Sequence, residues 1–268
     1  MNEFLRSEDN AVLGLLTDFG DRDGYVGVVK GVVLHFSPRV QIVDVSHSIP
    51  PQDIDEAAFV LLTTYRYFPE NTLFAIIVDP GVGTDRRVIG VETEKYAFLA
   101  PDNGVLAPIF QREKLFRVFE ITDKQFFLPE ISATFHGRDI FAPVAGQYLS
   151  GLTFSEMGRE IQDFDPGFFP IAQNLGDKIS GQILHIDRFG NLISNIPVGW
   201  VQKLAEKKAV TVRVGEFQLK GMAETFYSES GRGLQAYPDS SGFIGFSIFK
   251  SSAAEMTGLK KGDLVEVF

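Results

Sequence analysis

Leu73-Phe74-Ala75-Ile76-Ile77-Val78 is an unbroken apolar run that ends abruptly at Asp79-Pro80-Gly81. A strand so continuously apolar belongs where both sheet faces are covered, as they are in an α/β layer. The pattern recurs nearer the N-terminus. Val12 to Leu16 ends at Thr17-Asp18-Phe19-Gly20, and Val40 to Val45 is a further β-branched run. Between these lie stretches of helical spacing. Gly24 to Phe36 carries Val28, Val29, Val32 and Val33, and Asp53 to Phe68 carries Ala57, Val60, Leu61 and Tyr65 on one side. Shorter runs follow at Arg87 to Val91, Tyr96 to Leu99 and Leu115 to Ile121. Alternation of this kind predicts an α/β domain with a largely parallel central sheet over residues 1–168.

The remainder reads differently. Residues 169–178 are predicted to be a linker. Beyond them, Ile179 to Ile186, Leu192 to Ile196, Val210 to Val214, Phe243 to Phe249 and Leu264 to Phe268 are short apolar runs. Gly, Ser, Asp and Asn separate them, with little helix between. This predicts a smaller antiparallel β domain over 179–268, a sandwich or a barrel.

Composition removes several function classes. Lys+Arg number 25 against 35 Asp+Glu, a net charge of -10, which argues against a general nucleic-acid binder, since that would need a basic face. The absence of Cys rules out a disulfide scaffold, a thiolate zinc site and a cysteine nucleophile. No stretch approaches the ~20 apolar residues of a membrane span. The opening residues MNEFLRSEDN are polar and acidic, unlike a signal peptide. The expectation is a cytoplasmic protein with no membrane and no nucleic-acid partner.

Asp18 and Asp79 each close an apolar run and open a glycine-containing turn. In an open parallel sheet the strand C-termini line the ligand crevice. The competing reading is a turn aspartate that caps its own backbone. Asp102-Asn103-Gly104 repeats the arrangement after a third strand, which favours a site. Familiar motifs fail around these positions. Asp18-Phe19-Gly20 lacks the glycine-rich loop and VAIK-type strand of a kinase. Read as a calcium loop, Asp21-Arg22-Asp23-Gly24 would place Phe19 and Lys30 at ligand positions one and twelve. Asp79-Pro80-Gly81-Val82-Gly83-Thr84-Asp85-Arg86-Arg87 is neither a Walker loop nor a dinucleotide fingerprint. It does put Arg86 within reach of Asp79.

The four histidines, His35, His47, His136 and His185, form no HExxH pair. His136 stands out, in the polar turn Thr134-Phe135-His136-Gly137-Arg138-Asp139 ahead of an apolar helical run. In the second domain, Ile186-Asp187-Arg188-Phe189-Gly190-Asn191 offers an acid, an aromatic and an amide at a strand end. It could read a nucleoside and an amino-acid group, or it could be a hairpin turn. The two readings are compatible.

In this order and spacing, LLTDFGDRDGYVGVVKG, IVDVSHSIPPQDI, FPENTLFAIIVDPGVGTDRR, LAPDNGVL, TFHGRD, IDRFGNLISNI and the late SSGF and AAE resemble the S-adenosyl-L-methionine (SAM) hydroxide adenosyltransferases, relatives of the fluorinase and chlorinase. The resemblance runs over nearly the whole chain. It implies an N-terminal α/β domain with a C-terminal β-barrel, assembled as a homotrimer with SAM bound between subunits. It implies hydrolysis of SAM to adenosine and L-methionine by in-line attack at C5′, with no cofactor. Asp79, Arg86 and His136 match the catalytic triad of hydroxide-using members. Asp18 matches the ribose-hydroxyl acceptor. Asp23, Asp187 and Ser241 match positions that hold the methionine ammonium and carboxylate. Asn191 and Ala253 match adenine-edge contacts, and Phe226 matches the adenine-stacking aromatic. Halide-using relatives carry Tyr in place of Asp79, and the fluorinase has Ser in place of Gly137. Gln52 stands where the fluorinase has Trp, and Tyr25 replaces a small hydroxyl residue. Phe246 to Ser252 lacks the Asn-Arg-Gly-Asn that precedes Ala253 in the family. The alternatives from other classes are a non-catalytic SAM or adenosine sensor, a chlorinase-like halide transferase, and a hydrolase of another nucleoside.

Overall fold

The computed structural model describes residues 11–225 and 233–268. The chain forms two compact units that separate between Phe169 and Pro170.

The first unit runs β1 (Val12–Thr17), α1 (Tyr25–Phe36), β2 (Gln41–Ser46), α2 (Ile54–Thr64), β3 (Leu73–Ile77), β4 (Val88–Thr93), β5 (Ala97–Pro101), α3 (Ala107–Arg112), β6 (Phe116–Ile121), α4 (Ala142–Leu149), α5 (Phe154–Met157) and β7 (Gly158–Ile161). The sheet order is β2-β1-β3-β5-β4-β6-β7. The strands that carry the predicted site, β2, β1, β3 and β5, pair in parallel, and the sheet continues antiparallel through β4, β6 and β7. This is the α/β layer read from the sequence. Alternating residues of β1 and β3 feed opposite cores. Leu13, Leu15, Ala75 and Ile77 pack with Val29 and Val33 of α1 and Val144 of α4. Leu16, Phe74, Ile76 and Val78 pack with Ala57 and Leu61 of α2 and Ile109 of α3. Covering both faces is why β1 and β3 read as unbroken apolar runs. β2 differs, because as an edge strand it leaves Val43 and Asp44 exposed.

Register fixes the site. Thr17 pairs with Ile77, and Leu16 pairs with Ser46, so the ends of three parallel strands fall together. Asp18, His47 and Asp79 leave the sheet at this one edge.

The second unit contains β8 (Gln173–Asn174), β9 (Ile179–Ile186), β10 (Leu192–Pro197), α6 (Val198–Ala205), β11 (Thr211–Val214), β12 (Phe217–Lys220), β13 (Gln235–Pro238), β14 (Phe243–Ser247), α7 (Ala253–Thr257) and β15 (Leu264–Val267). Its order, β12-β11-β15-β9-β10-β14-β13 with β8 on β9, is antiparallel throughout and barrel-like. The core includes Ile183, Leu192, Ile196, Val201, Val212, Phe246 and Val265. Residues 169–178, read as a linker, are partly drawn into this unit. β8 pairs with β9, and the Pro170 carbonyl accepts from Asn195 Nδ2 at 3.1 Å. Among the described residues, no helix is long and apolar enough to cross a membrane.

Candidate active site

The nine residues from Asp79 to Arg87 fold back on themselves. Val82 N donates to Asp79 O at 3.2 Å, and Thr84 donates to Gly81 O from both its amide and its hydroxyl. The turn reverses the chain and returns Arg86 to Asp79. Arg86 Nε donates to Asp79 Oδ1 at 2.8 Å and to Oδ2 at 2.9 Å, and Nη2 closes a further ion pair with Oδ2. Gly83 has φ +80, and a Cβ there would overlap the Ala133 carbonyl oxygen. Only glycine lets this turn sit against the loop that carries His136. The close backbone approach of this glycine-rich turn is to the neighbouring loop.

That loop is fixed by an acid the sequence reading did not assign. Asp139 is fully buried and accepts from Ser132 N at 2.8 Å and from Arg138 Nε at 2.6 Å. Burial raises its pKa, but the bonds from Arg138 and Ser132 outweigh this and hold it below the ordinary carboxylate range. Residues Gly137–Phe141 form a π-helical turn that runs directly into α4. Such turns are frequent at functional sites because they shift one side chain out of helical register. His136 caps this turn and meets Arg86, with Nη2 to Nδ1 at 3.0 Å. Arg86 also lies over the ring of buried Phe141, 5.4 Å from its centroid. Asp79 and Arg86 are nearly buried, with side chains 7% and 10% exposed. The structure thus brings Asp79, Arg86 and His136 into one cluster.

Arginine only donates, so Nδ1 of His136 must be the acceptor and the neutral ring carries its proton on Nε2. Burial, and after it the charge of Arg86, lowers the His136 pKa, with Asp79 and Asp139 offsetting part of the effect. The native cluster therefore holds imidazole rather than imidazolium. It presents a carboxylate, a guanidinium and an Nε2–H donor, a set suited to orienting one water molecule.

Asp18 lies at the end of β1, and its Oδ2 accepts from Gln52 N at 2.8 Å. Gln52 adopts a left-handed backbone, φ 67, just before Asp53 caps α2. Asp23 is exposed in the turn ahead of α1. Nearby, Phe19, Tyr25 and Phe135 pack edge to face or tilted, with centroids 5.1 to 6.0 Å apart. With Ser132, Thr134 and Arg138 they line a cleft of about 380 Å³. A Cβ on Gly137 would lie 3.2 Å from Phe19 and 3.3 Å from Phe135, so the aromatics already fill that space. Asp102, grouped with the site acids by its position after a strand, is held by partners outside its own turn. It accepts from Arg87 Nε at 2.8 Å and from Asp165 N at 2.8 Å, which ties residues 163–165 to the strand end.

In the second unit the 187–191 segment is a hairpin turn between β9 and β10. Asp187 Oδ1 accepts from the amides of Phe189 and Asn191, and Oδ2 accepts from Asn191 Nδ2, all at 2.8 Å. Gly190, at φ +80, sits against Ser252, and its carbonyl accepts from Ala254 N at 2.9 Å. Asp187, Asn191 and Ala253 are thereby brought together. Ser241 N donates to Asp239 Oδ1 at 2.8 Å, while its Oγ is buried with no partner among the described residues. Asp239 also accepts from Tyr237, whose pKa is raised by burial and then by Asp239 and Asp187. Phe226 lies outside the described residues.

Family models match in both units. The model for the SAM hydroxide adenosyltransferase N-terminal domain matches residues 13–158, and that for the C-terminal domain matches 181–266. An (R)-S-adenosyl-L-methionine hydrolase of Thermus thermophilus is 34% identical over 257 residues, covering 92% of this chain and 95% of that protein. A fluorinase of Nocardia brasiliensis is 26% identical over 289 residues, covering 96% of each. The crystal structure of an uncharacterized conserved protein from Thermotoga maritima superposes with a TM-score of 0.86 at 34% identity, covering 95% of this chain and 99% of that one.

Proposed function

The chain belongs to the SAM hydroxide adenosyltransferase family, and from that membership we propose that it hydrolyses SAM to adenosine and L-methionine. The observation that carries the reading is the Asp79–Arg86–His136 cluster, with Asp79 and Arg86 nearly buried, at the sheet edge.

Water attacks C5′ opposite the sulfonium. The C–O bond forms as the C–S bond breaks, and the bonding pair leaves on sulfur as the neutral thioether of methionine. No metal or redox cofactor is called for, because the substrate brings its own leaving group. Asp79 accepts one hydrogen of the attacking water, and the Nε2–H of His136 donates to its oxygen. Held in line, the water gains the entropic advantage of a near-attack geometry. His136 is a poor proton acceptor here, because its one lone pair is engaged by Arg86. The acceptor that remains is the Asp79 carboxylate. The oxygen that has bonded to C5′ is an oxonium, a far stronger acid than a carboxylic acid, so a late transfer to Asp79 runs downhill.

Asp18 holds the ribose hydroxyls in this reading. Asp23, Asp187 and the unpartnered hydroxyl of Ser241 take the methionine ammonium and carboxylate. Asn191 and Ala253 meet the adenine edge and Phe226 stacks on it. The proposal includes a homotrimer with its sites between subunits. Support comes from Tyr25, Val28, Leu34 and Val43, all exposed on α1 and the edge strand β2. It extends to a cytoplasmic location, which cell fractionation tests.

The decisive experiment incubates the protein with SAM, with and without chloride, and separates the products by chromatography. Adenosine in both supports the proposal. 5′-Chloro-5′-deoxyadenosine would make the protein a halide transferase, and unconsumed SAM would make it a sensor. Asp79→Ala and His136→Ala should slow adenosine release at saturating SAM far more than they weaken SAM binding.

A further inference from the structure

One histidine, its side chain 11% exposed, has no part in that chemistry, yet it touches the site from behind. His47 follows β2, and three contacts join its loop to the Asp18 turn. Its Nδ1 lies 2.8 Å from the hydroxyl of Thr17, a fully buried residue. Its carbonyl accepts from Gly20 N at 2.7 Å. Five residues on, Gln52 N donates to Asp18 itself. Asp18 is therefore flanked on both sides, at Thr17 and Gly20, by bonds to one residue.

The direction of these bonds follows from charge. His47 Nε2 lies 3.0 Å from Asp44 Oδ1, and Asp44 is in turn 2.7 Å from Lys30 Nζ. The Asp44 carboxylate favours the ring proton on Nε2, which leaves Nδ1 to accept from the Thr17 hydroxyl. That hydroxyl then accepts from Phe19 N at 3.3 Å, the amide next to Asp18. Burial acts to raise the Asp44 pKa, but the bond from Lys30 and the nearby His47 ring outweigh it and keep the acid ionised. The series Lys30–Asp44–His47–Thr17–Phe19 thus runs from α1, through the exposed edge strand β2, to the backbone of the Asp18 turn.

We propose that His47 is a positioning residue for substrate: through Thr17 and the Gly20 amide it fixes the turn that aims the Asp18 carboxylate at the ribose diol. This rests on the reading of Asp18 as the ribose acceptor.

Adenosine is the probe, since it carries the diol and does not turn over. Its dissociation constant is measured by calorimetry on the full chain. Loss of one buried neutral hydrogen bond is worth about tenfold in affinity when it costs about 1.4 kcal/mol. His47→Ala should weaken adenosine by about that factor and raise KM for SAM with little change in kcat. Thr17→Val, nearly isosteric, should do the same, and Thr17→Ser should restore binding. Asp18→Ala should weaken adenosine at least as much, and adding His47→Ala to it should cost nothing more. Full additivity, or wild-type affinity in a folded His47→Ala or Thr17→Val variant, overturns the inference and leaves the proposed function standing. Wild-type affinity in Asp18→Ala removes the ribose assignment and the inference with it.

Discussion

Asp79 and Asp187 carry the same local signature, an acid that closes a strand and opens a glycine turn, yet the two are held in opposite ways. Asp187 is satisfied inside its own hairpin, by two amides and an amide side chain no more than four residues away. Asp79 is satisfied by a guanidinium seven residues on, which is itself shared with a histidine fifty residues further along. A short-range acid shapes its turn, whereas a long-range acid couples one loop to another. Reactivity is expected of the second kind, because its charge is balanced by groups that can also face a ligand.

Arg86→Met tests this contrast most severely. It leaves Asp79 and His136 without their shared donor. SAM turnover should fall by at least about 100-fold, the scale of losing a preorganised electrostatic donor. The unit should also lose roughly 3 kcal/mol in urea unfolding, because a nearly buried carboxylate is left unpaired. Turnover within tenfold of wild type would mean that the cluster does not act on the reacting water.

Asp187→Ala should give the opposite profile. Removing the acceptor of two turn amides costs about 1–2 kcal/mol of stability. KM for SAM should rise several-fold with kcat barely moved. A fall in kcat matching that of Asp79→Ala would erase the distinction between the two acids.

The smallest effect is in pH. Because burial and Arg86 lower the His136 pKa, the unfolded chain binds the proton more readily than the native one. Stability from the Arg86–His136 bond is therefore present above the ordinary histidine range and lost as pH falls through the lower folded value. Turnover should lose its acid limb at that same lower value, since a protonated Nδ1 repels Arg86. In His136→Gln the profile should be flat there, although slower. A limb at the ordinary histidine value would place His136 in solvent, outside the cluster.

Much of this site was legible in the residues. Asp79 and Arg86 share one turn, and the run before them could only be an interior strand, so their meeting followed from short-range geometry. The hairpin at 187–191 was legible for the same reason, in Gly190-Asn191. Asp102 carried the same signal, yet its partners could not be read locally, because Arg87 lies ahead of β4 and Asp165 in the segment after β7. His47 and Asp139 had no local signal at all. Each acts through a buried contact, and burial belongs to the packed fold rather than to a stretch of sequence.

The sequence by itself determined the two-part architecture, the covered strands, the acids at strand ends and the turns that need glycine, because these depend on periodicity and on backbone conformations a few residues long. Tertiary structure alone decided which acids meet distant partners and which are bonded within their own turns. It did so through the parallel register that sets Thr17 beside Ile77 and Leu16 beside Ser46, bringing Asp18, His47 and Asp79 to one edge. The free energy of a charge depends on which distant groups share its low-dielectric surroundings, and no local stretch of residues records that.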